Sequence, residues 1–219
     1  MTKSFYNLNE LNFQETKALF KKVFARYPYI KKLLATYKYA KKAHGKQLRQ
    51  HLPVPYIVHM LRMCIILYQF HGIKDLDLLQ ATLLHDVVED TKITQSEIEK
   101  NYNARVAELV KALTRIKPKN ETPLEKYQNK QEKLKKIMKR SKEIRILKAV
   151  DLTDNMNDWI HITKNNPMAK KIPRWLAEAK NQYFPLAKSL GKAYLAPMEH
   201  AFKILINKGF QPNSINPKF

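Results

Sequence analysis

Leu83-Leu84-His85-Asp86-Val87-Val88-Glu89-Asp90 alternates pairs of apolar residues with pairs that handle metals or protons. At 3.6 residues per turn the spacing predicts a helix, with Leu83, Leu84, Val87 and Val88 on one side. His85 then stacks with Glu89, and Asp86 with Asp90, on the other side. One face enters a core and the other lines a polar pocket. The plainer alternative is an amphipathic helix whose outer face is acidic.

The same period recurs on both sides of this stretch. Glu10 to Arg26, Ile30 to Ala43 and Tyr56 to Phe70 repeat apolar residues at helical spacing, and a helix starting at Asp75 or Asp77 runs through the motif to Asp90. Thr94-Gln95-Ser96-Glu97 and Thr122-Pro123-Leu124-Glu125 are capping-box patterns. They open a short helix and a lysine-rich one, with Arg105 to Ile116 as a further helix between them. Ile144 to Thr163, the region around Trp175 and Tyr183, and Ala193 to Lys208 continue the pattern, and no stretch alternates with period two. The expectation is an all-α fold in one domain over residues 1–219, with its core at about 29–208. His44 to Pro55 lacks a helical period and reads as a loop carrying Lys46, Arg49 and His51, donors suited to an anion.

Composition excludes several classes. Hydrophobic residues make up 44% of 219, so neither disorder nor a fibrous repeat is indicated. The single cysteine, Cys64, rules out an internal disulfide and suits a reducing compartment. The longest apolar run, Leu52 to Phe70, holds His59 and Arg62, which is costly at bilayer depth and reads as a buried helix. Without a leader-like start, the expected location is the cytoplasm, with no membrane contact. Lysine and arginine total 41 against 19 acidic residues, a formal charge of +22 that implies an anionic partner, a nucleic-acid surface or a lysine-rich lineage. The dense run from Lys126 to Lys148 has few aromatic residues besides Tyr127, so nucleic acid is not the favoured reading there.

Three separated segments offer what a divalent cation needs: His59, His85 with Asp86, and Asp151. Two imidazoles and two carboxylates leave positions open for water and a phosphate oxygen, and suit manganese, iron or magnesium better than a structural zinc. Singly, His59 also reads as a core histidine and Asp151 as a helix-surface carboxylate.

The order His, His-Asp, Asp resembles the HD-domain metal-dependent phosphohydrolases, and within them the RelA/SpoT-type hydrolase domain and the small alarmone hydrolases. The likeness runs over nearly the whole chain. Pro55-Tyr56-Ile57-Val58-His59 is similar to that family's PYxxH signature, and Leu83 to Thr91, LLHDVVEDT, is nearly its consensus. Leu113-Thr114-Arg115, Lys148 to Asp151, Asp154-Asn155-Met156 and Tyr183 to Gly191 follow in register. The resemblance implies that His59, His85, Asp86 and Asp151 bind one manganese ion, with Mg2+, Fe2+ or Co2+ as substitutes. It implies that Glu89 and Asp90 position or deprotonate the attacking water. Lys46, Arg49 and Tyr56 would hold the substrate and Asn155 its nucleoside, with no synthetase domain following. The implied reaction removes pyrophosphate from the ribose 3′ oxygen of guanosine tetraphosphate or pentaphosphate.

The chain departs from the pattern in three places, one of them Asp154, which precedes Asn155 where many members have histidine or tyrosine. Met60 stands after His59 where the family usually has proline, and Arg49 to Pro55 lacks the usual serine-glycine. Two alternatives stay open: an HD hydrolase of another nucleotide or of NADPH, and a basic nucleic-acid-binding protein on an HD scaffold. Oligomeric state is not legible.

Overall fold

A computed structural model describes residues 5–213 apart from 51, 117 and 119. His51, expected in the donor loop, lies outside the described residues. The chain divides into two compact units, Met1–Lys117 and Pro118–Phe219. Among the described residues both are helical, and the one β pairing is an isolated bridge between Leu48 and Pro55.

In the first unit α1 spans Phe13–Val23, with Asn12 as its cap and Glu15 closing a capping box. Helix α2, which spans Ile30–His44, runs antiparallel to α1, since Phe20 meets Tyr37 at 6.2 Å while Phe13 lies under the Lys41 ammonium. Helix α3 spans Ile57–Ile65, packs on α1 and passes into a π-helical turn at Ile66–Phe70. Every residue of α3 is buried, so its hydrophobicity serves a protein core, and among the described residues no helix is long and apolar enough to cross a membrane. Cys64 is a packed thiol in this helix; its Sγ donates to the Leu79 carbonyl, and burial pushes its pKa well up.

Helix α4 spans Leu76–Leu84 and α5 spans Val87–Asp90, so the predicted single helix through the motif is interrupted at His85-Asp86. The cause is local. The His85 ring bonds back to the Thr82 carbonyl, and Asp86 opens to φ −100° and ψ −5°, away from helical values. Leu83, Leu84 and Val87 are fully buried as the period predicts, whereas Val88 is half-buried. Helices α6 (Gln95–Asn101) and α7 (Ala104–Leu113) follow; α7 packs on α4, while α4 also packs on α2 and α3. The layer of α2, α3 and α4 thereby fixes both histidines of the motif set.

In the second unit α8 (Pro123–Met138) starts at the predicted Thr122 capping box and buries Leu134 and Ile137. Helix α9 (Lys142–Trp159) is the central element, packed by α8, α11 (Phe184–Lys188) and α12 (Lys192–Asn207). Helix α10 (Ile172–Glu178) leads into α11 through a π-helical turn at Ala179–Tyr183. Trp159 stacks on Trp175 at 4.9 Å, fastening the end of α9 to α10.

Candidate functional site

The break after α4 shapes the site. His85 donates its Nδ1 proton to the Thr82 carbonyl at 2.9 Å, which fixes the ring and leaves Nε2 as the nitrogen available to a ligand. That Nε2 faces Oδ2 of Asp86 at 3.1 Å. A lone-pair nitrogen and a carboxylate oxygen at this distance require positive charge between them, as a second proton or as a cation. Adjacent ligands of an octahedral cation, each about 2.1 Å from it, lie about 3.0 Å apart. The pair therefore fits a divalent ion. His59, fully buried on α3, presents its ring 5.3 Å from that of His85 at 63°.

The donor loop closes on the same cluster. Gln47 accepts from the Tyr56 amide at 2.8 Å and Arg49 donates its amide to Val54, folding the loop back to the start of α3. Tyr56 then sits among four partners. Its hydroxyl donates to Asp86 Oδ2 at 2.7 Å, its ring stacks on His44 at 4.9 Å and lies edge-on to His59, and the Arg49 guanidinium covers it at 5.2 Å. Burial, and then the Asp86 charge, push the phenol far above its ordinary pKa, so it stays a donor. Arg49 is buried and Lys46 is exposed. The structure thus brings Arg49, Tyr56, His59, His85 and Asp86 together and leaves Lys46 on the surface.

Glu89 and Asp90 occupy α5, one turn beyond the pair. Glu89 accepts from the Arg115 amide at 2.8 Å, and the Arg115 Nε lies 3.7 Å from its other oxygen. The Asp90 amide donates to the Asp86 carbonyl, and the Asp90 charge acts on both Tyr56 and His44.

In the second unit α9 carries Asp151 and Asn155 one turn apart. Asp151 is buried; Lys148 Nζ donates to its Oδ2 and Asn155 Nδ2 to its Oδ1, each at 2.7 Å. Asn155, expected at the nucleoside, thus uses its amide on the Asp151 carboxylate. His59, His85 and Asp151 are all buried, and each offers one atom a metal ion could take.

Two further residues carry no role in the sequence reading. His44 donates Nδ1–H to Gln47 at 2.7 Å, and burial lowers its pKa against the pull of Gln47, Asp86 and Asp90, so the ring is neutral near pH 7. Arg115 grips Glu89. Both contacts arise from loop geometry that periodicity does not encode; the likeness of His44, Gln47 and Arg49 to the family's helix-and-loop opening hinted at the first, and the register of Leu113-Thr114-Arg115 with the family at the second.

Comparison with known proteins agrees with this layout. Residues 36–193 match the HD domain family, a span drawing on both units. Guanosine-3′,5′-bis(diphosphate) 3′-pyrophosphohydrolase MESH1 of Drosophila melanogaster is 32% identical over 167 residues, 76% of this chain and 86% of that protein. The bifunctional (p)ppGpp synthase/hydrolase SpoT of Escherichia coli K12 is 33% identical over 169 residues, 74% of this chain but 22% of that longer protein. A solved structure of a metazoan ortholog of SpoT, described as hydrolysing ppGpp and playing a role in starvation responses, superposes with a TM-score of 0.68 at 27% identity. It covers 78% of this chain and 94% of its own. With the His-Asp pair in place between α4 and α5, this chain belongs to the HD domain family.

Proposed function

We propose that the chain is a metal-dependent phosphohydrolase that removes pyrophosphate from the ribose 3′ oxygen of guanosine tetraphosphate or pentaphosphate, an alarmone signal of the stringent response. The observation that carries the reading is the 3.1 Å approach of His85 Nε2 to Asp86 Oδ2, with the Nδ1 proton already committed to Thr82. His59, His85, Asp86 and Asp151 are the proposed ligands of one cation, manganese in our reading, whose mixed nitrogen and oxygen donors exclude neither Mg2+ nor Fe2+. Such a cation supplies a polarised phosphoryl group and a bound water of lowered pKa.

The chain's own residues do the rest. Glu89 and Asp90 lie one turn from the ligand pair, and one of them takes the water proton. The water oxygen bonds to the phosphorus attached to the ribose, the bond from that phosphorus to the 3′ oxygen breaks, and the 3′ oxygen leaves with a proton. Arg115 keeps Glu89 oriented through the transfer. Arg49, already desolvated over Tyr56, clamps the substrate's phosphates, with Lys46 at the rim and Asn155 toward the nucleoside. The overall positive charge favours so polyanionic a substrate. The MESH1 and SpoT relatives, named for ppGpp hydrolysis, support the substrate, and a buried unpaired Cys64 supports a cytoplasmic setting.

A second reading keeps the site and changes the substrate to another nucleotide or NADPH. It is favoured by the segment Leu52-Pro53-Val54, where Val54 N bonds to the Leu52 carbonyl at 2.8 Å in a tight bend lacking the family's serine-glycine. Purified manganese-loaded protein incubated with ppGpp, pppGpp, GTP and NADPH separates the two: pyrophosphate with GDP from ppGpp supports the first, and turnover of NADPH alone supports the second.

A further inference from the structure

His44 ends α2, and Tyr56 stands immediately before α3. One residue of the loop between them, Gln47, is bonded to both. Its amide donates to the His44 carbonyl at 3.0 Å, its side-chain Oε1 accepts the His44 Nδ1 proton at 2.7 Å, and its own carbonyl accepts from the Tyr56 amide at 2.8 Å. Gly45 makes this return possible. It sits at φ +54° and ψ −118°, a backbone conformation that residues with side chains rarely adopt, so the chain doubles back directly after the helix. The result is a stack: the His44 ring lies on the Tyr56 ring at 4.9 Å and 29°, and His44 is only 6% exposed. Its Nε2 is buried and has no hydrogen-bond partner among the described residues. The ring is therefore tied at one edge to Gln47 and gives one face to Tyr56.

We propose that His44 and Gln47 are positioning residues of the metal site, acting through Tyr56 by holding its hydroxyl on Asp86. The inference rests on the reading of Asp86 as a metal ligand. A tyrosine side chain turns about two torsions. The Gln47 carbonyl fixes where the Tyr56 backbone starts and the His44 face fixes the plane of its ring, which together aim the hydroxyl at Asp86 Oδ2, 2.7 Å away. A hydrogen bond from such an outer partner orients a ligating carboxylate and raises metal affinity. Two other roles for His44 are distinguishable. As a direct ligand it would need neighbours, and among the described residues it belongs to no group of side chains close enough to share an ion. As a packing residue alone it would affect the stability of the fold and leave the metal affinity of the folded chain unchanged.

The test is isothermal titration of the full chain with manganese alone, well below the melting temperature of each variant, arranged as a double-mutant cycle with Tyr56→Phe. His44→Ala should weaken manganese binding about tenfold, the scale for residues that orient metal ligands. In the Tyr56→Phe background the same change should cost less than about twofold, because the hydroxyl through which it acts is gone. His44→Phe keeps a flat, uncharged face and should restore affinity to within about threefold of wild type, with Gln47→Leu falling between the two. Gln47→Leu leaves both rings in place and carries the same cycle should His44→Ala fail to fold. Unchanged affinity in His44→Ala, or an equal loss in both backgrounds, would overturn the proposal. A loss in His44→Phe as large as in His44→Ala would also overturn it and assign Nε2 itself to the ion or its water. Wild type that binds no manganese would overturn the metal reading and this inference together, whereas wild type that binds it without coupling between His44 and Tyr56 overturns this inference alone. None of these readouts depends on ppGpp turnover, so failure of the hydrolase reading is visible separately.

Discussion

The Tyr56 hydroxyl donates to Asp86 Oδ2 at 2.7 Å, and that same oxygen faces His85 Nε2 at 3.1 Å. One oxygen of Asp86 therefore meets a hydrogen-bond donor on one side and a ring nitrogen on the other. One partner comes from the loop that also carries Arg49, so the segment proposed to hold phosphates and the residue proposed to hold the metal are joined through one phenol.

Tyr56→Phe should keep helix content and weaken manganese affinity by roughly tenfold, within the range for residues that orient metal ligands. Isothermal titration with the metal alone measures it. A large rise in KM at unchanged metal affinity would instead assign Tyr56 to direct substrate contact.

Asp86→Ala should abolish turnover and lower metal affinity by at least a hundredfold while circular dichroism stays near wild type. Asp86 makes no side-chain cap for α5, so its removal should not unfold that helix. Retained activity in the variant contradicts the ligand assignment.

Glu89→Gln should keep metal binding and slow turnover by about a hundredfold or more, the usual scale for a positioned acid or base. Arg115→Met should act in the same direction but more weakly, because the Arg115 amide still holds Glu89. If both variants lose metal as severely as Asp86→Ala, the division between ligand and proton-handling residues is wrong.

Burial lowers the His71 pKa to about 4 from 6.5. The folded protein thus refuses a proton that the unfolded chain accepts below pH 6.5. Stability is complete above that value and falls as pH drops toward 4, by about 3 kcal/mol from this group over the window. Urea midpoints at pH 7, 6 and 5 should decline in wild type, and His71→Gln should flatten the decline.

The helices were legible because the apolar residues keep a 3.6 period from Leu11 to Leu205, and Thr94 and Thr122 announce their helix starts with a glutamate three residues on. The interruption at His85-Asp86 was not. Neither residue is a helix breaker, and the bend comes from a side chain turning back on the Thr82 carbonyl. The π-helical turns at Ile66–Phe70 and Ala179–Tyr183 left no mark for the same reason: their residues are ordinary helix formers and packing decides the register. Of the site, His59, His85 and Asp86 were readable from residue type and order. The grip of Arg115 on Glu89 joins positions 26 apart, and the stacking of His44 on Tyr56 depends on a loop path that no short-range pattern fixes.

The most direct test of the central claim is the product analysis of ppGpp incubated with protein shown by metal analysis to hold one manganese ion per chain. The account predicts release of pyrophosphate and GDP in equal amounts, lost in Asp86→Ala. No turnover of ppGpp by the intact, metal-loaded protein would contradict it.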